Sequence, residues 1–525
     1  MTGHTSLHGL VSSILGRLHA SASTVGVESF TALGSSFLAR HNLDSEESLM
    51  EILEAVGETG SKFLHSSSTP RFPGLAVPSA TPRFGLSPPP LVAVAYHSGF
   101  LTHVCRREAG KDGMELTPSE RPDRALAIAG VLAGLGLLQA CARLLVREAT
   151  ANEISLITSE QHRVWVEANL ALASAAPTPV TAHFSPPDLY WCPGTGSAAR
   201  LALGACIEAV EALCRGVCQR ALCIVRPPGH HAHSEVSRGF CIFNNVGGAV
   251  LSALNDRVAA SGGRPTLSRV LIVDLDVHHG DGTEALFYED PRVLTFSLHR
   301  YDAGGYYPCT GHPERVGEGV GLGYNCNVGL DGDWHGDREL CAVVDAVLAP
   351  LARAFDPQLV VVSLGCDSGR GDPLGDWDIT PSGYAYALST LTLLGAPIAV
   401  VLEGGYNCHT LASTVADCTR VLLGEQCPSP LCVGERGVGV LPERAVLAGG
   451  DGGCFFGMGT REGDKDREHL RDTLDCTKVW RENVGSTPGS SPCPARRLGL
   501  RPSVHTSIAK TISALRPHWR GVFGM

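Results

Sequence analysis

Short runs of continuous apolar, often β-branched residues recur along the chain from about residue 92 onward. They are Ala221–Arg226 (ALCIVR), Val270–Leu275 (VLIVDL), Val293–Leu298 (VLTFSL), Leu359–Leu364 (LVVVSL) and Ile398–Leu402 (IAVVL). Each run is short for a helix and lacks the alternation of a half-exposed strand, so each predicts a strand buried on both faces. Between them, Ala198–Leu213, Arg338–Phe355 and Ser382–Leu394 repeat their apolar positions at helical spacing. Strands alternating with helices predict an α/β fold with a parallel sheet covered by helices on both faces. No repeat of fixed period is visible.

The flanks read differently. Residues 1–91 are rich in Ser and Gly and end in a Pro run at 88–90; Leu7, Leu10, Val11, Ile14, Leu15 and Leu18 share one helical face. This predicts a mostly flexible extension with one short amphipathic helix; a transit peptide shares these traits and is the alternative, with the small number of basic residues against it. Residues 432–497 carry Gly-rich runs, a charge cluster at Arg461–Arg471 and Ser/Pro/Gly at Ser486–Pro494, the composition of a surface insert or linker. Residues 498–525 resume periodicity, with Val504, Ile508, Ile512 and Leu515 on one face of a terminal helix. The expected partition is thus an extension (1–91), a principal domain (92–431), an insert (432–497) and a closing helix (498–525). The Ala/Gly-rich stretch Ala125–Ala142, between Arg124 and Arg143, has almost the length of a membrane span but predicts a buried helix, begun by Ser119-Glu120-Arg121-Pro122.

Composition narrows the function. Charged residues make up 18% of the chain and hydrophobic ones 44%, which suits a folded protein. The net charge of −11 argues against a general nucleic-acid binder, and no direct, sequence-specific nucleic-acid binding is expected. Nineteen cysteines, an odd number without paired CxxC spacing, read as reduced thiols of an intracellular protein.

In open α/β sheets, functional groups gather beyond the carboxyl ends of the strands. Gly229-His230-His231 follows the first of the five runs, Asp276 and His278 the second, Asp367 the fourth, and Gly404-Gly405-Tyr406 the fifth. In extended chain Asp276 and His278 face the same side, and Asp367 completes an oxygen/nitrogen set of three ligands. Three protein ligands with open positions are the pattern of a catalytic zinc. An imidazole of the His230-His231 pair suits the proton transfers beside such a metal, with Asp274 and Asp281 as carboxylate partners of the pair. Tyr406 supplies a phenolic donor to an oxyanion, and Phe240 with Tyr306-Tyr307 can wall a slot.

These residues lie in Arg226–Asn245 (RPPGHHAHSEVSRGFCIFNN), Asp274–Thr283 (DLDVHHGDGT), Leu364–Gly375 (LGCDSGRGDPLG) and Leu402–Asn407 (LEGGYN). In these segments the chain resembles the zinc-dependent histone deacetylases of class II, most nearly the tubulin-deacetylase type of catalytic domain. The resemblance runs from about Val92 to Leu431 and resumes near Leu515–Trp519. It implies an arginase/deacetylase α/β fold and hydrolysis of acetyl-lysine side chains. It implies Zn²⁺ on Asp276, His278 and Asp367, His231 as general base and then acid, and His230 as its electrostatic partner oriented by Asp274. Tyr406 would polarise the acetyl carbonyl. Gly239 would offer its carbonyl to the substrate, Phe240 and Tyr307 would flank an acyl-lysine tunnel, and Asp188 would accept the substrate amide N–H where such relatives use Ser. A structural K⁺ would sit at Asp274, Asp276, His278, Ser297 and Leu298, and a second monovalent cation at Phe287, Asp290, Val293 and Tyr324. The partners implied are acetylated tails of histones or other proteins, and a corepressor-type complex, in nucleus or cytoplasm and without a membrane.

Besides Asp188, three positions depart from the family pattern. Asp281 stands where class II members usually carry Asn, Tyr307 replaces a usual Phe, and Cys366 precedes Asp367 where Phe is more common. None removes a ligand or catalytic group. Leu374 stands where polyamine deacetylases of the family carry Glu, which favours acetyl-lysine over acetylated polyamines. A binuclear manganese ureohydrolase would want Asp-x-His-x-Asp, and the fifth position here is Gly280. A non-catalytic acetyl-lysine scaffold would not need Tyr406 and a full ligand set.

Overall fold

The computed structural model describes residues 91–105, 118–175, 183–184, 188–255, 267–427 and 500–523. Residues 1–90 and the segment 432–497, with the amphipathic N-terminal helix and the insert expected there, lie outside the described residues.

Eight strands form one parallel sheet: β1 (Val92–Ala95), β2 (Ala142–Arg143), β5 (Arg220–Cys223), β6 (Val270–Asp274), β7 (Val293–Arg300), β8 (Asn325–Leu330), β9 (Leu359–Leu364) and β10 (Ile398–Leu402), in the order β2-β1-β5-β10-β9-β6-β7-β8. A separate antiparallel pair joins β3 (His183–Phe184) and β4 (Tyr190–Trp191). Successive side chains of the sheet feed two cores. Leu271, Val273, Val360, Val362 and Leu364 face one side; Val270, Ile272, Leu359 and Val361 face the other. Helices Asp123–Gly134, Pro381–Thr392 and Cys408–Leu422 cover the first face, and Glu160–Ser174, Thr195–Cys214 and Asn245–Asn255 the second. Both faces being dry, β-branched residues run unbroken through the strands.

Differences from the sequence reading are local. The first of the five predicted strands ends at Cys223 instead of Arg226; Arg226 beyond it is buried, its guanidinium donating to Glu120 and to the Phe100 carbonyl. The stretch Ala125–Ala142 is not one helix: the helix stops at Gly134, Gly136 takes a left-handed φ of 72°, and Ala142–Arg143 pairs with β1 as an edge strand. No described helix is long and apolar enough to cross a membrane. Strand β8 (NCNVGL) carries Asn325 and Asn327, residues that argue against a strand; their amides are buried because both donate to Glu284, at 2.8 and 2.6 Å.

The terminal helix Pro502–Leu515 packs on β8. Val504, Ile508 and Leu515 are buried, the Thr511 hydroxyl donates to the Asn327 carbonyl at 2.8 Å, and Trp519 Nε1 donates to the Gly323 carbonyl at 2.8 Å.

Candidate metal centre and active site

Strands β5, β10, β9, β6 and β7 are consecutive neighbours, although they come from positions 220, 398, 359, 270 and 293 of the chain. Their carboxyl ends therefore open onto one place. Among the described residues, one set of His, Cys, Asp or Glu ligand atoms gathers tightly enough for a metal: Asp276, His278 and Asp367, within 4.8 Å of one another. His278 Nδ1 lies 3.0 Å from Asp276 Oδ1 and 3.0 Å from Asp367 Oδ2. Ligands at about 2.0–2.2 Å from a tetrahedral zinc stand roughly 3.4 Å apart, close to this spacing. Backbone amides hold the outer carboxylate oxygens: Val277 N donates to Asp367 Oδ1 at 2.8 Å and Gly404 N to Asp276 Oδ2 at 2.9 Å. A Cβ on Gly404 would come within 2.5 Å of both carboxylates, so glycine is required where the β10 loop passes them.

The electrostatics ask for a cation. Burial, and then the Asp276 carboxylate, push the Asp367 carboxyl up to about 7. Burial opposes charge on His278, yet its hydrogen bonds to Asp276 and Asp367 outweigh that and raise its imidazole to about 9. Two buried carboxylates thus compete for one positive charge, which a divalent ion satisfies better than a proton. The donor set fits zinc.

Beside this set stand the two imidazoles. His230 Nδ1 donates to Asp274 Oδ2 at 2.9 Å and His231 Nδ1 to Asp281 Oδ1 at 2.6 Å. Burial disfavours a charged His230, but the Asp276 and Asp274 carboxylates prevail and hold its pKa well above the ordinary value. His231 goes the other way: burial, with the His230 and His278 charges, pushes it well below. At neutral pH His231 is therefore the neutral imidazole of the pair. The departure at Asp281 is answered locally, since its Oδ2 also accepts from Arg238 and, at 2.5 Å, from His233 Nε2.

Tyr406 is anchored through its main chain. Asp372 Oδ2 accepts from Tyr406 N at 2.6 Å and Asn407 N at 3.1 Å, while Oδ1 accepts from Leu374 N at 3.0 Å. The Asn407 side chain caps helix Cys408–Leu422 by accepting from His409 N and Thr410 N. On the other side, Arg124 donates to the carbonyls of Gly405 at 2.6 Å and Glu403 at 2.5 Å, with its guanidinium 5.0 Å from the Tyr406 ring centre. Burial, then the Asp367 charge, raise the Tyr406 phenol well above its ordinary pKa and keep it a donor.

The remaining expected residues divide. Gly239 and Phe240, both with positive φ (56° and 65°), present Phe240 edge-on to Tyr406 at 5.8 Å. Tyr307 lies edge-on to His231 at 5.2 Å, and its hydroxyl donates to Asp188 Oδ2 at 2.8 Å. Leu374 is half-buried, its carbonyl accepting from the Tyr306 hydroxyl at 2.6 Å. Asp274 and Ser297 are paired neighbours across β6 and β7, with Leu298 next in line. Phe287, Asp290, Val293 and Tyr324 form a second group: the carbonyls of Phe287, Asp290 and Tyr324 accept from Asp290 N, Val293 N and Thr295 N.

Sequence reading passed over several groups. Glu403, fully buried, accepts from Gly229 N at 2.7 Å, His230 N at 3.2 Å and the Ser363 hydroxyl at 3.1 Å, so it sets the turn carrying both imidazoles. Glu120 accepts both Arg226 Nε and Nη2 at 2.8 Å, Arg124 Nη1 at 3.2 Å and the Tyr190 hydroxyl at 2.9 Å. Asp372 and Arg238 belong with them. Glu403, Asp372 and Arg238 sit inside quoted motifs, and charged residues among Gly and apolar neighbours were the available signal.

A histone deacetylase domain model matches residues 118–422. The chain is 39% identical over 312 residues to polyamine deacetylase HDAC10 of Homo sapiens, covering 59% of this chain and 45% of that one. It is 38% identical over 308 residues to histone deacetylase 15 of Arabidopsis thaliana, covering 58% and 53%. Among solved structures, the HDA15 HD domain superposes with a TM-score of 0.58 at 35% identity, over 64% of this chain and 91% of that one. The chain spans about half the length of these curated relatives.

Proposed function

The chain belongs to the histone deacetylase family, and we propose that it is a zinc-dependent protein lysine deacetylase of class II type, hydrolysing the acetyl amide of acetyl-lysine side chains. The observation that carries this reading is the joining of three functions at adjacent strand ends: the Asp276/His278/Asp367 donor set, a neutral buried His231, and a protonated Tyr406. Bound zinc supplies Lewis-acid polarisation of the acetyl carbonyl and acidifies water. His231 takes the proton of the attacking water on its free Nε2, because Nδ1 is committed to Asp281, and returns it to the leaving lysine amine. His230, held by Asp274, keeps a positive charge beside it. The Tyr406 hydroxyl donates to the carbonyl oxygen as negative charge develops there, and its fixed backbone makes that donor preorganised.

In the same reading the Gly239 carbonyl and the Asp188 carboxylate receive donors of the substrate, between Phe240 and Tyr307. A structural K⁺ uses Asp274, Asp276, His278, Ser297 and Leu298, a second cation Phe287, Asp290, Val293 and Tyr324. The substrates are acetylated tails of histones or other proteins, within a corepressor-type complex in nucleus or cytoplasm. A polyamine substrate is the second reading, favoured by the similarity to HDAC10 and opposed by Leu374, which offers no charge to a second ammonium. Hydrolysis of an acetyl-lysine peptide that a chelator abolishes and Zn²⁺ restores is the expected result. Turnover indifferent to chelation, or none with zinc present, would refute the proposal.

A further inference from the structure

We infer that the Tyr307 hydroxyl is a positioning element for Asp188 at the tunnel mouth, and that it tightens binding of substrates that present a main-chain N–H there; this rests on the deacetylase reading above. An apolar wall needs only the ring, which Tyr307 already presents edge-on to His231 at 5.2 Å and to His278 at 5.9 Å. A hydroxyl on such a wall costs hydration unless it finds a partner. Here it finds a particular one. It donates to Asp188 Oδ2 at 2.8 Å, and Gly239 N donates to that same oxygen at 2.7 Å. Phe240 N adds a bond of 3.2 Å to the Asp188 carbonyl, so main chain and side chain of Asp188 are both fixed. Tyr307 reaches Asp188 from the loop after β7, and 39% of it remains exposed, which places the link at the rim.

Two donors on one oxygen orient the carboxylate and leave Oδ1 with acceptor capacity for a third donor arriving from outside. A carboxylate held by Gly239 alone keeps one more rotation to lose on binding, which is the ordering cost that preorganisation removes. Burial, then the Asp188 charge, push the Tyr307 phenol above its ordinary pKa, so the hydroxyl stays a donor. The residue acts through Asp188 and not on the reacting amide.

The test compares wild type and Tyr307→Phe on an acetyl-lysine peptide and on the same peptide with its backbone amides at and after the acetyl-lysine N-methylated. The expected result is a KM for the parent peptide raised about three- to tenfold, the ordering cost of one carboxylate rotation, with kcat within twofold. On the methylated peptide the two proteins should match, and Tyr307→Phe should add nothing in an Asp188→Ala background. Equal losses on both peptides would make Tyr307 a packing residue only; an unchanged or lowered KM would make the hydroxyl idle or a competitor of the substrate. Each of these overturns the inference. Wild-type protein that hydrolyses neither peptide refutes the deacetylase reading itself, a distinguishable failure.

Discussion

Removing the carboxylate of Asp372 should cost turnover through Tyr406, and the two simplest substitutions should differ in degree. Asp372 is buried and accepts three backbone N–H groups: Tyr406 and Asn407 on Oδ2, Leu374 on Oδ1. Asparagine keeps one acceptor oxygen. Aimed at Tyr406 and Asn407 it abandons one N–H, and aimed at Leu374 it abandons two, so the first orientation wins. The penalty is then the Leu374 N–H left without an acceptor and facing the new amide NH2, about 1–3 kcal/mol of stability. Tyr406 stays held, and kcat should fall less than about tenfold, since a tenfold change is ~1.4 kcal/mol. Alanine abandons all three, and kcat should approach that of Tyr406→Phe. The assay is steady-state hydrolysis of an acetyl-lysine peptide, with thermal denaturation and bound zinc measured alongside. Because Asp372 acts through Tyr406, the double variant Asp372→Ala/Tyr406→Phe should be no slower than Tyr406→Phe. Additive losses in that double variant, or alanine milder than asparagine, would refute this account of how the phenol is held.

Four further outcomes follow from the site and its supports. Tyr406→Phe removes an oxyanion donor and should slow turnover ~10²–10³-fold, and His231→Ala should likewise fall far below wild type; wild-type rates in either sink the assignment. Glu120→Gln leaves the buried Arg226 and Arg124 without their counter-charge and should destabilise the fold by about 3–5 kcal/mol in denaturant titration. Burial works against the Glu120 charge, but Arg226, His103 and Arg124 hold its carboxyl at about 2 against an ordinary 4.5, so its stabilisation is complete above pH 4.5 and lost as pH falls towards 2, where variant and wild type should converge. Leu374→Glu should shift kcat/KM from acetyl-lysine peptide towards N8-acetylspermidine by roughly 10–10³-fold, and an unmoved ratio would clear Leu374 of any role in selectivity. We further propose that 432–497 is an insert outside the catalytic domain: deletion of 440–490 should leave folded, active protein. Truncation at 500, which removes Val504, Ile508 and Leu515 from the core, should abolish solubility.

Much of this candidate site was legible before any coordinates, because its candidate ligands follow closely on strands whose apolar runs are unbroken. A parallel sheet dry on both faces leaves such runs in the sequence, and whatever follows each run sits at the carboxyl edge. Asp276, His278, Asp367, His231 and Tyr406 were all reachable by that route. Strand β8 was not, since Asn325 and Asn327 make sense in a strand only once Glu284 is seen between their amides and the Arg315 guanidinium. The helix at Asp123–Gly134 was read too long for a similar reason: an edge strand of two residues carries no periodicity of its own.

Local pattern determined which residues carry chemistry; their neighbours were decided by strand order. The order β5-β10-β9-β6-β7 puts the Glu403 carboxylate under His230, across 173 positions of chain, and brings the Arg124 guanidinium to Gly405 across 281. Nothing in the spacing of these residues encodes such pairings. They arise because buried charges must find partners wherever the packed sheet brings backbone and side chain together, and that requirement is met only in three dimensions.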